Sequence, residues 1–351
     1  MPISYLHNNM NLNRPDLTQV GIDVRNYIEA LEAEVKRLQG KDRKKVTAVS
    51  PDEPPTTQNL ITVTADGVAK RTPRHLYPCQ KRSGMGIFDL DTPETDPPII
   101  LCLADEADIF LVFTNFGRAF RLPVTILPAT PVRSKGESLA EKLNLRPQEK
   151  VIAVLPSDVG DYVALVSERG WVQRVRKNYL GKGLLPGMSF HNIKNGGFLT
   201  GACWSAAEED LLIVTRAGKG IRFAGRLIHS QGNLGLRVDV DDTTVGITAV
   251  SENSDVFIIG YDGKGSIRMM SGFRANKAPG AGGKVVLKTE CLIAAITVQT
   301  NAELFIIAQS GKIIRFQASE VPPKEGVVQG VNCMTLRNDI VSAVTTYTPL
   351  S

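Results

Sequence analysis

Six arginines recur along the chain, each a few residues after a glycine in a short polar turn. Copies such as TADGVAKR (64–71) and AQSGKIIR (308–315) share the turn glycine and the arginine that follows it. A guanidinium group stays cationic near neutral pH and attracts phosphate oxygens, so this repetition favours an anionic ligand. The repeated arginines are Arg71, Arg121, Arg174, Arg222, Arg268 and Arg315.

Other basic residues cluster near these arginines. The net charge is only +5, but acidic residues concentrate in separate segments such as 89–96 and 239–242, which predicts a basic surface and acidic loops. The companion bases are Lys70, Arg74, Arg118, Arg176, Lys177, Lys219, Arg226, Lys264, Arg274, Lys277 and Lys312.

The elements that position the arginines form a repeat. An apolar triplet precedes each turn, and the turn glycines, which recur at intervals of 45–53 residues, are Gly67, Gly117, Gly170, Gly218, Gly263 and Gly311. A second glycine register precedes a further short strand and consists of Gly86, Gly136, Gly187, Gly235, Gly283 and Gly330. The pattern predicts six units of about four short strands each. The fifth unit has one extra residue between glycine and arginine, which predicts a β-bulge.

Units of this kind predict an all-β fold. A single small sheet cannot bury both faces, whereas stacked four-stranded repeats close into a propeller. We therefore expect a six-bladed β-pinwheel, which is propeller-like, with a short N-terminal α-helix. The final strand, at 339–348, has no seventh hairpin to serve and is expected to complete the first unit.

Closing the ring would place the six arginines on one circumference, because side chains alternate across a strand. A basic rim suits duplex DNA, and six phosphate contacts would give log K against log salt a slope of about −5. Such contacts read no bases. In the alternative, each arginine merely caps its blade or pairs with a carboxylate between blades.

These repeats resemble the C-terminal domain of DNA gyrase A and its counterpart in topoisomerase IV, over about residues 59–348. The resemblance implies a six-bladed β-pinwheel that binds and bends DNA around its basic outer edge. It also implies an auxiliary role in DNA topology, with topoisomerase subunits as partners.

The first unit contains a segment similar to the gyrase box of that family. In QKRSGMG, the matching residues are Gln80, Lys81, Arg82, Gly84 and Gly86. Ser83 replaces a glycine of the family pattern and Met85 replaces a basic residue. The resemblance implies that this loop joins blades and contacts DNA. The loss of one charge is expected to weaken wrapping.

No motif indicates catalysis. No tyrosine has the setting of a strand-cleavage tyrosine, no GxxxxGK[ST] motif occurs, and the four histidines are scattered. We therefore expect no catalytic residues, no metal and no cofactor. The alternative to a DNA-binding ring is a non-catalytic propeller scaffold that binds a protein partner.

The N-terminal region has a different character. Apolar residues at spacings of three and four predict an amphipathic, coiled-coil-like helix at about 16–40, within an N-terminal segment 1–45. This helix would pair two copies or dock onto topoisomerase subunits; the alternative is an amphipathic helix that packs on its own domain or on a neighbouring protein. A linker at 46–58 and the ring at 59–348 follow. The five cysteines form no CxxC pair, and no signal peptide or membrane span is evident, so a cytoplasmic protein without membrane contact is expected.

Overall fold

Two units divide the chain, residues 1–50 and residues 51–351. The computed structural model describes residues 21, 23–25, 28, 31, 32, 53–157 and 159–349. In the first unit, residues 23–25, 28, 31 and 32 are helical, and Val24 and Leu31 of the predicted seam are exposed. The rest of the predicted helix and most of the predicted linker lie outside the described residues, so the proposed boundaries stay predictions.

Six antiparallel hairpins repeat through the second unit. The first strand of each hairpin is largely buried because its run of apolar residues packs on both faces of the sheet. The hairpins pair β1 (Gln58–Thr64) with β2 (Val68–Pro73), β5 (Ile109–Thr114) with β6 (Arg118–Pro123), β9 (Tyr162–Ser167) with β10 (Trp171–Arg176), β13 (Asp210–Thr215) with β14 (Lys219–Ala224), β17 (Asp255–Gly260) with β18 (Lys264–Met269), and β21 (Glu303–Ala308) with β22 (Lys312–Gln317).

An inner strand from the same unit pairs with the first strand of each hairpin. The inner strands are β4 (Pro98–Asp105), β8 (Val151–Pro156), β12 (Leu199–Ser205), β16 (Thr244–Val250), β20 (Leu292–Val298) and β25 (Val341–Tyr347). The last of them, β25, pairs with β21 of its own unit. The expectation that the C-terminal strand completes the first unit was therefore wrong, because β4 already fills that place.

Short outer strands come from the following unit and extend each sheet by one strand, except the fifth sheet, which gains two. They are β3 (Ile87–Phe88), β7 (Glu137–Ser138), β11 (Met188–Ser189), β15 (Asn233–Leu234), β19 (Lys284–Val285), β23 (Pro323–Lys324) and β24 (Val331–Asn332). Each pairs with the second hairpin strand of the preceding unit, so β7 lies on β2 and β19 lies on β14. The strand β3 of the first unit lies on β22 of the sixth. This exchange closes the ring.

We call the stretch between the second hairpin strand and the inner strand of each unit its crossing segment. Each crossing segment begins with a 3₁₀-helix, and these helices span Arg74–Leu76, Val124–Ile126, Lys177–Leu180, Gly225–Leu227, Met270–Gly272 and Ala318–Glu320. Two also contain a one-turn α-helix, α1 (Leu139–Lys142) and α2 (Ile193–Gly196). Ser138 and Asn192 cap these two helices through their side-chain oxygens.

The hydrophobic core lies between the blades. Six apolar clusters each join two neighbouring blades, as where Leu212 of blade 4 packs in one cluster with Val256 of blade 5. The last cluster places Leu60 of blade 1 with Phe305 of blade 6. Six antiparallel sheets thus form a closed six-bladed β-propeller, and the strand exchange gives it the pinwheel connectivity that the sequence predicts.

The two glycine registers have different physical causes. The turn glycines have φ between 76° and 83°, the left-handed region that glycine adopts at little cost. Gly86, in the second register, lies where the crossing segment passes over β22, and a Cβ there would lie 2.5 Å from the Ile313 carbonyl oxygen. The same close approach recurs at Gly136, whose Cβ would lie 2.6 Å from the Ala69 carbonyl oxygen.

Candidate nucleic-acid interface

The repeated arginines lie in the second hairpin strands, and five of them face the next blade. Arg222 is paired with Leu212, and directly opposed residues in an antiparallel pair share a face of the sheet. Leu212 belongs to the cluster between blades 4 and 5. Arg71 faces blade 2 in the same way, because its partner Ile61 belongs to the cluster between blades 1 and 2.

The contacts of Arg222 define the role of the repeated arginine in the second hairpin strand. Its guanidinium donates hydrogen bonds to Asp210 Oδ2 at 2.7 Å and Glu252 Oε2 at 2.9 Å, and to the Met270 and Phe273 carbonyl oxygens of the next unit. The residue is only 3% exposed. Arg222 therefore holds blade 4 to the 3₁₀-helix of blade 5.

A similar contact joins blade 6 to blade 1. Arg315 donates to the Tyr77 carbonyl oxygen at 2.8 Å and to both carboxylate oxygens of Glu303. Arg74, from the first unit, donates to the same Glu303 and lies over the Tyr347 ring. Together with the strand exchange, this buried ion-pair cluster closes the ring.

Glu53 completes that cluster. Its carboxylate accepts hydrogen bonds from Arg315 and Arg74. Burial alone would raise the pKa of Glu53, but its bonds to Arg315 and Arg74 hold the pKa below the ordinary 4.5. A residue of the predicted linker thus contributes to the seam between blades 1 and 6.

Lys70 is another buried base. Its Nζ donates to Asp89 Oδ1 at 2.7 Å and to the Asp89 carbonyl oxygen, and Tyr77 Oη donates to the same Oδ1. Both charged side chains are fully buried. Burial lowers the pKa of Lys70, and the neighbouring carboxylate partly opposes the shift. The ion pair therefore anchors the crossing segment of unit 1 to its own hairpin.

Arg268, the fifth repeated arginine, does not face the next blade, although its hairpin, described in full, contains no β-bulge. The pairing of β17 with β18 is continuous from Asp255–Met269 to Ile259–Gly265, so the expected β-bulge is absent from this described hairpin. Arg268 instead pairs with Val256, one position beyond the place that Arg222 occupies in blade 4. It therefore faces blade 4, whereas the other five arginines face the following blade.

These positions correct the expected rim of arginines. The expectation that the six repeated arginines project outward was wrong for the four that are buried, namely Arg71, Arg222, Arg268 and Arg315. The companions Lys70 and Arg74 are also buried. At three of the repeated positions the arginine bonds a carbonyl oxygen of the next unit and also pairs with a carboxylate; these are Arg71, Arg222 and Arg315.

The remaining predicted bases reach solvent to different extents. Arg118 is half-buried because it pairs with Glu149 at 2.6 Å. The other half-buried bases are Arg82, Arg121, Arg174, Lys177, Lys219 and Lys312. The exposed bases are Lys81, Arg176, Arg226, Lys264, Arg274 and Lys277.

The gyrase-box-like segment lies where the ring closes. The backbone N–H of Gln80 donates to the Arg315 carbonyl oxygen at 2.7 Å, and that of Arg82 donates to Glu320. The Arg82 guanidinium donates to the Asn332 carbonyl oxygen, which leaves Lys81 as the exposed base of the segment. Gly84 lies close to the Gln80 side chain. The segment therefore bridges blades 1 and 6 and presents one free-standing charge.

Exposed bases occur in the crossing segments of all six units. Because each sheet is ordered from the inner strand outward, these segments lie at the outer edge of the ring. We call the exposed bases that lie between the second hairpin strand and the end of the unit's outer strand the rim bases; they are Lys81, Arg133, Lys135, Lys182, Arg226, Arg274, Lys277, Lys284 and Lys324. Over the same described ranges the exposed carboxylates are Glu137 and Glu325. The described rim thus carries more basic than acidic groups near its outer strands.

Five of the rim bases were not among the predicted site residues. They are Arg133, Lys135, Lys182, Lys284 and Lys324. A sequence signal existed, because in five units a lysine or arginine lies within six residues before the second-register glycine. The regular spacing of the repeated arginines favoured the hairpins as the basic surface instead.

A channel of about 390 Å³ runs along the inner strands. Cys102 and Cys203 are the titratable residues among its described lining, and burial raises the pKa of each thiol to about 12. The rest of its described lining consists of apolar residues, glycines, threonines and a serine.

Within the described ranges, no group of three or more His, Cys, Asp or Glu side chains is arranged to hold a metal ion. No helix among the described residues has both the length and the apolar character of a membrane span.

Solved structures share this fold. The chain resembles the structure of the DNA gyrase A C-terminal domain with a TM-score of 0.72 and 21% identity, over 83% of this chain and 99% of that chain. The C-terminal domain of DNA topoisomerase IV gives a TM-score of 0.59 and 17% identity, over 84% of this chain and 94% of that one.

Sequence relatives agree with the structural match. The chain is 28% identical over 298 residues to the DNA gyrase A protein of Mycolicibacterium smegmatis, and the match covers 79% of this chain and 34% of that protein. It is 27% identical over 293 residues to the DNA gyrase A protein of Chlamydia trachomatis, covering 79% of this chain and 35% of that protein. The chain thus spans about a third of the length of these relatives.

A family model matches four parts of the chain. The model describes the DNA gyrase C-terminal domain, a β-propeller, and the match covers residues 58–96, 108–158, 209–251 and 302–345, about half of the chain. Together with the six exchanged blades, this match shows that the chain belongs to the DNA gyrase C-terminal domain β-propeller family.

Proposed function

We propose that this chain binds duplex DNA without sequence preference along the rim of its propeller and bends the duplex there. The observation that supports this function is the presence of exposed bases in the crossing segment of every unit. Bases on a closed, rigid edge can follow successive phosphates only if the duplex curves. Smooth bending by 40–90° costs on the order of 1–6 kcal/mol, which contacts spread along the arc would offset.

The proposal assigns the DNA contacts to the rim bases and not to the buried arginines. A phosphate that reached Arg222 would have to displace two carboxylates and two carbonyl oxygens. Lys81 or Lys277, in contrast, can meet a phosphate without such a rearrangement, because each side chain is already in solvent. The binding is expected to weaken with salt, because phosphate contacts release counterions.

The proposed biological setting is DNA topology. Gyrase A relatives are about three times longer than this chain, so the activity of those whole proteins is not carried over. We propose an auxiliary, non-catalytic role beside topoisomerase subunits, with the N-terminal segment as a docking or self-pairing element. Met85 in place of a basic residue, and the use of Arg82 within the ring, favour bending over tight chiral wrapping.

A protein-binding scaffold is the second candidate function. Exposed apolar side chains on the outer strands favour it, since an apolar side chain at an edge strand can contact a partner. They are Phe88, Met188, Leu234 and Val285. A scaffold of this kind would not need the rim bases for binding.

A salt titration with matched variants tests the proposal. A labelled duplex of about 40 base pairs and random sequence is titrated at several salt concentrations. Replacing Arg133 and Lys135 by Gln should reduce the magnitude of the slope of log K against log salt by about 1.8, which corresponds to two lost phosphate contacts. The matched control replaces Arg169 and Arg216, two exposed bases in hairpin turns.

The control should leave the slope unchanged, because the hairpin turns lie at the ends of the strands and not on the outer edge. Equal slopes for the rim variant and the control would contradict DNA binding at the rim. Absence of binding by the unmodified chain at low salt would favour the scaffold.

A further inference from the structure

Arg268 is a buried base without the partners of its counterparts. It is 6% exposed, and its Nε and Nη1 atoms are buried without a hydrogen-bond partner among the described residues. Its ring contact is with Phe273, whose centroid lies 5.8 Å from the guanidinium carbon. A buried charge that lacks both a counter-ion and hydrogen bonds is costly, so buried arginines are ordinarily paired.

Arg268 lacks a carboxylate partner in the described part of the chain because of the strand register in its hairpin. Asp255 occupies the place in blade 5 that Asp210 occupies in blade 4, at the start of the first hairpin strand. Asp210 pairs with Arg222 on the shared face. The one-residue shift puts Arg268 on the opposite face from Asp255, and burial without a cationic partner raises the pKa of that carboxyl group.

The face that Arg268 takes contains a cavity of about 480 Å³ between the outer edges of blades 4 and 5. The cavity is lined by Arg268, Arg274 and Lys284 as its charged residues, and Ser271 and Phe273 are also among its lining residues. Its described lining contains no carboxylate. Glu325 of the next unit is exposed and lies beside Gly272, where an added Cβ would be 2.6 Å from the Glu325 carbonyl oxygen.

Three cations, a hydroxyl donor and no counter-ion form a site for a compact anion with several acceptor oxygens. Arginine forks match the geometry of phosphate oxygens, and a lysine adds a point charge. The cavity opens at the rim, because Lys284 belongs to the outer strand β19 and Arg274 is exposed. A phosphate group entering from the rim could therefore reach the buried guanidinium.

We propose that the cavity lined by Arg268, Arg274 and Lys284 binds one phosphate group, which supplies the counter-charge that the register shift removes from Arg268. The source is either a backbone phosphodiester of DNA on the rim or a free phosphate compound. The first source depends on the DNA binding proposed above, whereas the second does not.

Thermal unfolding of the full chain tests the site with inorganic phosphate as the probe. Phosphate at about ten times its Kd should raise the Tm by about 3 °C above a potassium chloride control of equal ionic strength. Arg268→Met should abolish this phosphate-specific shift. Without phosphate, Arg268→Met should match or exceed the Tm of the unmodified chain, because it removes an unpaired buried charge.

A second variant keeps the test decisive if Arg268→Met does not fold. Arg274→Gln combined with Lys284→Gln changes exposed residues only and should also remove most of the phosphate-specific shift. The absence of a phosphate-specific shift in the unmodified chain, or its persistence in both variants, would overturn the proposal.

A DNA titration separates the two sources. If a phosphodiester occupies the site, Arg268→Met reduces the magnitude of the salt slope by about 0.9. If a free phosphate compound occupies it, the phosphate-specific Tm shift is present and the DNA slope is unchanged. A chain that binds phosphate here but fails to bind DNA would refute the proposed function and leave this site standing.

Discussion

Arg222 shows how a single charged side chain stabilises the contact between two blades. Its guanidinium exchanges water for two carboxylate and two carbonyl oxygens, in a position that is 3% exposed. Buried charges are tolerated when their hydrogen bonds are made, and removal of one partner leaves the others buried and unsatisfied.

Replacing this arginine should therefore destabilise the ring. Arg222→Met is expected to lower the free energy of unfolding by about 3–5 kcal/mol, because Asp210 loses its counter-ion. Urea denaturation measures the change. The exposed Arg226→Met serves as the control and should stay within about 0.5 kcal/mol of the unmodified chain. Equal stability of the two variants would show that Arg222 does not join the blades.

Glu149 gives the fold a dependence on pH. Burial alone would raise the pKa of Glu149, but bonds from the Thr114 hydroxyl, the Arg146 N–H and the Arg118 guanidinium hold it below the ordinary 4.5. A carboxylate with a lowered pKa in the folded state stabilises the fold above the unfolded pKa. That contribution is lost as the pH falls through the folded pKa.

The expected consequence is a pH-dependent effect of Glu149→Gln. At pH 7 the substitution should lower the free energy of unfolding by about 2 kcal/mol, and the difference should shrink as the pH falls below 4.5. Chemical denaturation across pH 7 to pH 3 measures it, with the exposed Glu94→Gln as the control. A difference that stays constant over this range would contradict the ionised, paired state of Glu149.

For single residues, the sequence predicted which positions repeat but not the direction or the burial of their side chains. The period identified Arg71 and Arg315 as equivalent positions, and both do occupy the second strand of a hairpin. Their burial depends on carbonyl and carboxylate partners from elsewhere in the chain, such as Leu127 of the second unit and Glu53 of the predicted linker. Such partners are distant in sequence, so no local pattern identifies them.

The crossing segments are the elements that turn separate hairpins into a ring. Each leaves its own blade, adds a short strand to the preceding blade and returns as an inner strand. Close backbone approach at the outer strands requires a residue without a side chain, which explains four members of the second glycine register, namely Gly86, Gly136, Gly283 and Gly330. Gly86 is the member at the seam between blades 1 and 6, with φ of 71°.

A methyl group at that seam should weaken closure. Gly86→Ala is expected to lower the free energy of unfolding by about 1–3 kcal/mol, because its Cβ would meet the Ile313 carbonyl oxygen and its φ is strained for alanine. Gly282→Ala is the control, since a Cβ there meets no atom within 4 Å. Thermal unfolding measures both, and equal stabilities would contradict the close approach.

The sequence predicted elements correctly where a local pattern determines them, and it failed where the strand register determines which face a side chain takes. Apolar triplets and turn glycines predicted all six hairpins of the described ring. The extra residue in the fifth repeat suggested a bulge, whereas the hairpin keeps a regular register and moves Arg268 to the other face. A strand pattern alone does not distinguish these outcomes, because both accommodate one added residue.

The second unit as a whole is a ring, and it closes where its first repeat contacts its sixth repeat. The strand β3 pairs with β22, and Arg74 and Arg315 share Glu303 across the same seam. The sequence predicted six blades correctly but assigned closure to the C-terminal strand. The reason lies in strand exchange, in which the outer strand and not the inner strand passes to another blade.

The central claim is that duplex DNA bends along the curved rim, so a measurement of DNA bending tests it most directly. Ligase-mediated circularisation of a fragment of about 150 base pairs, near the persistence length of DNA, reports bending in solution. The unmodified chain should raise the fraction of closed circles at low salt, and Arg133→Gln combined with Lys135→Gln should reduce that gain. Saturating binding with no gain in circularisation would contradict the account.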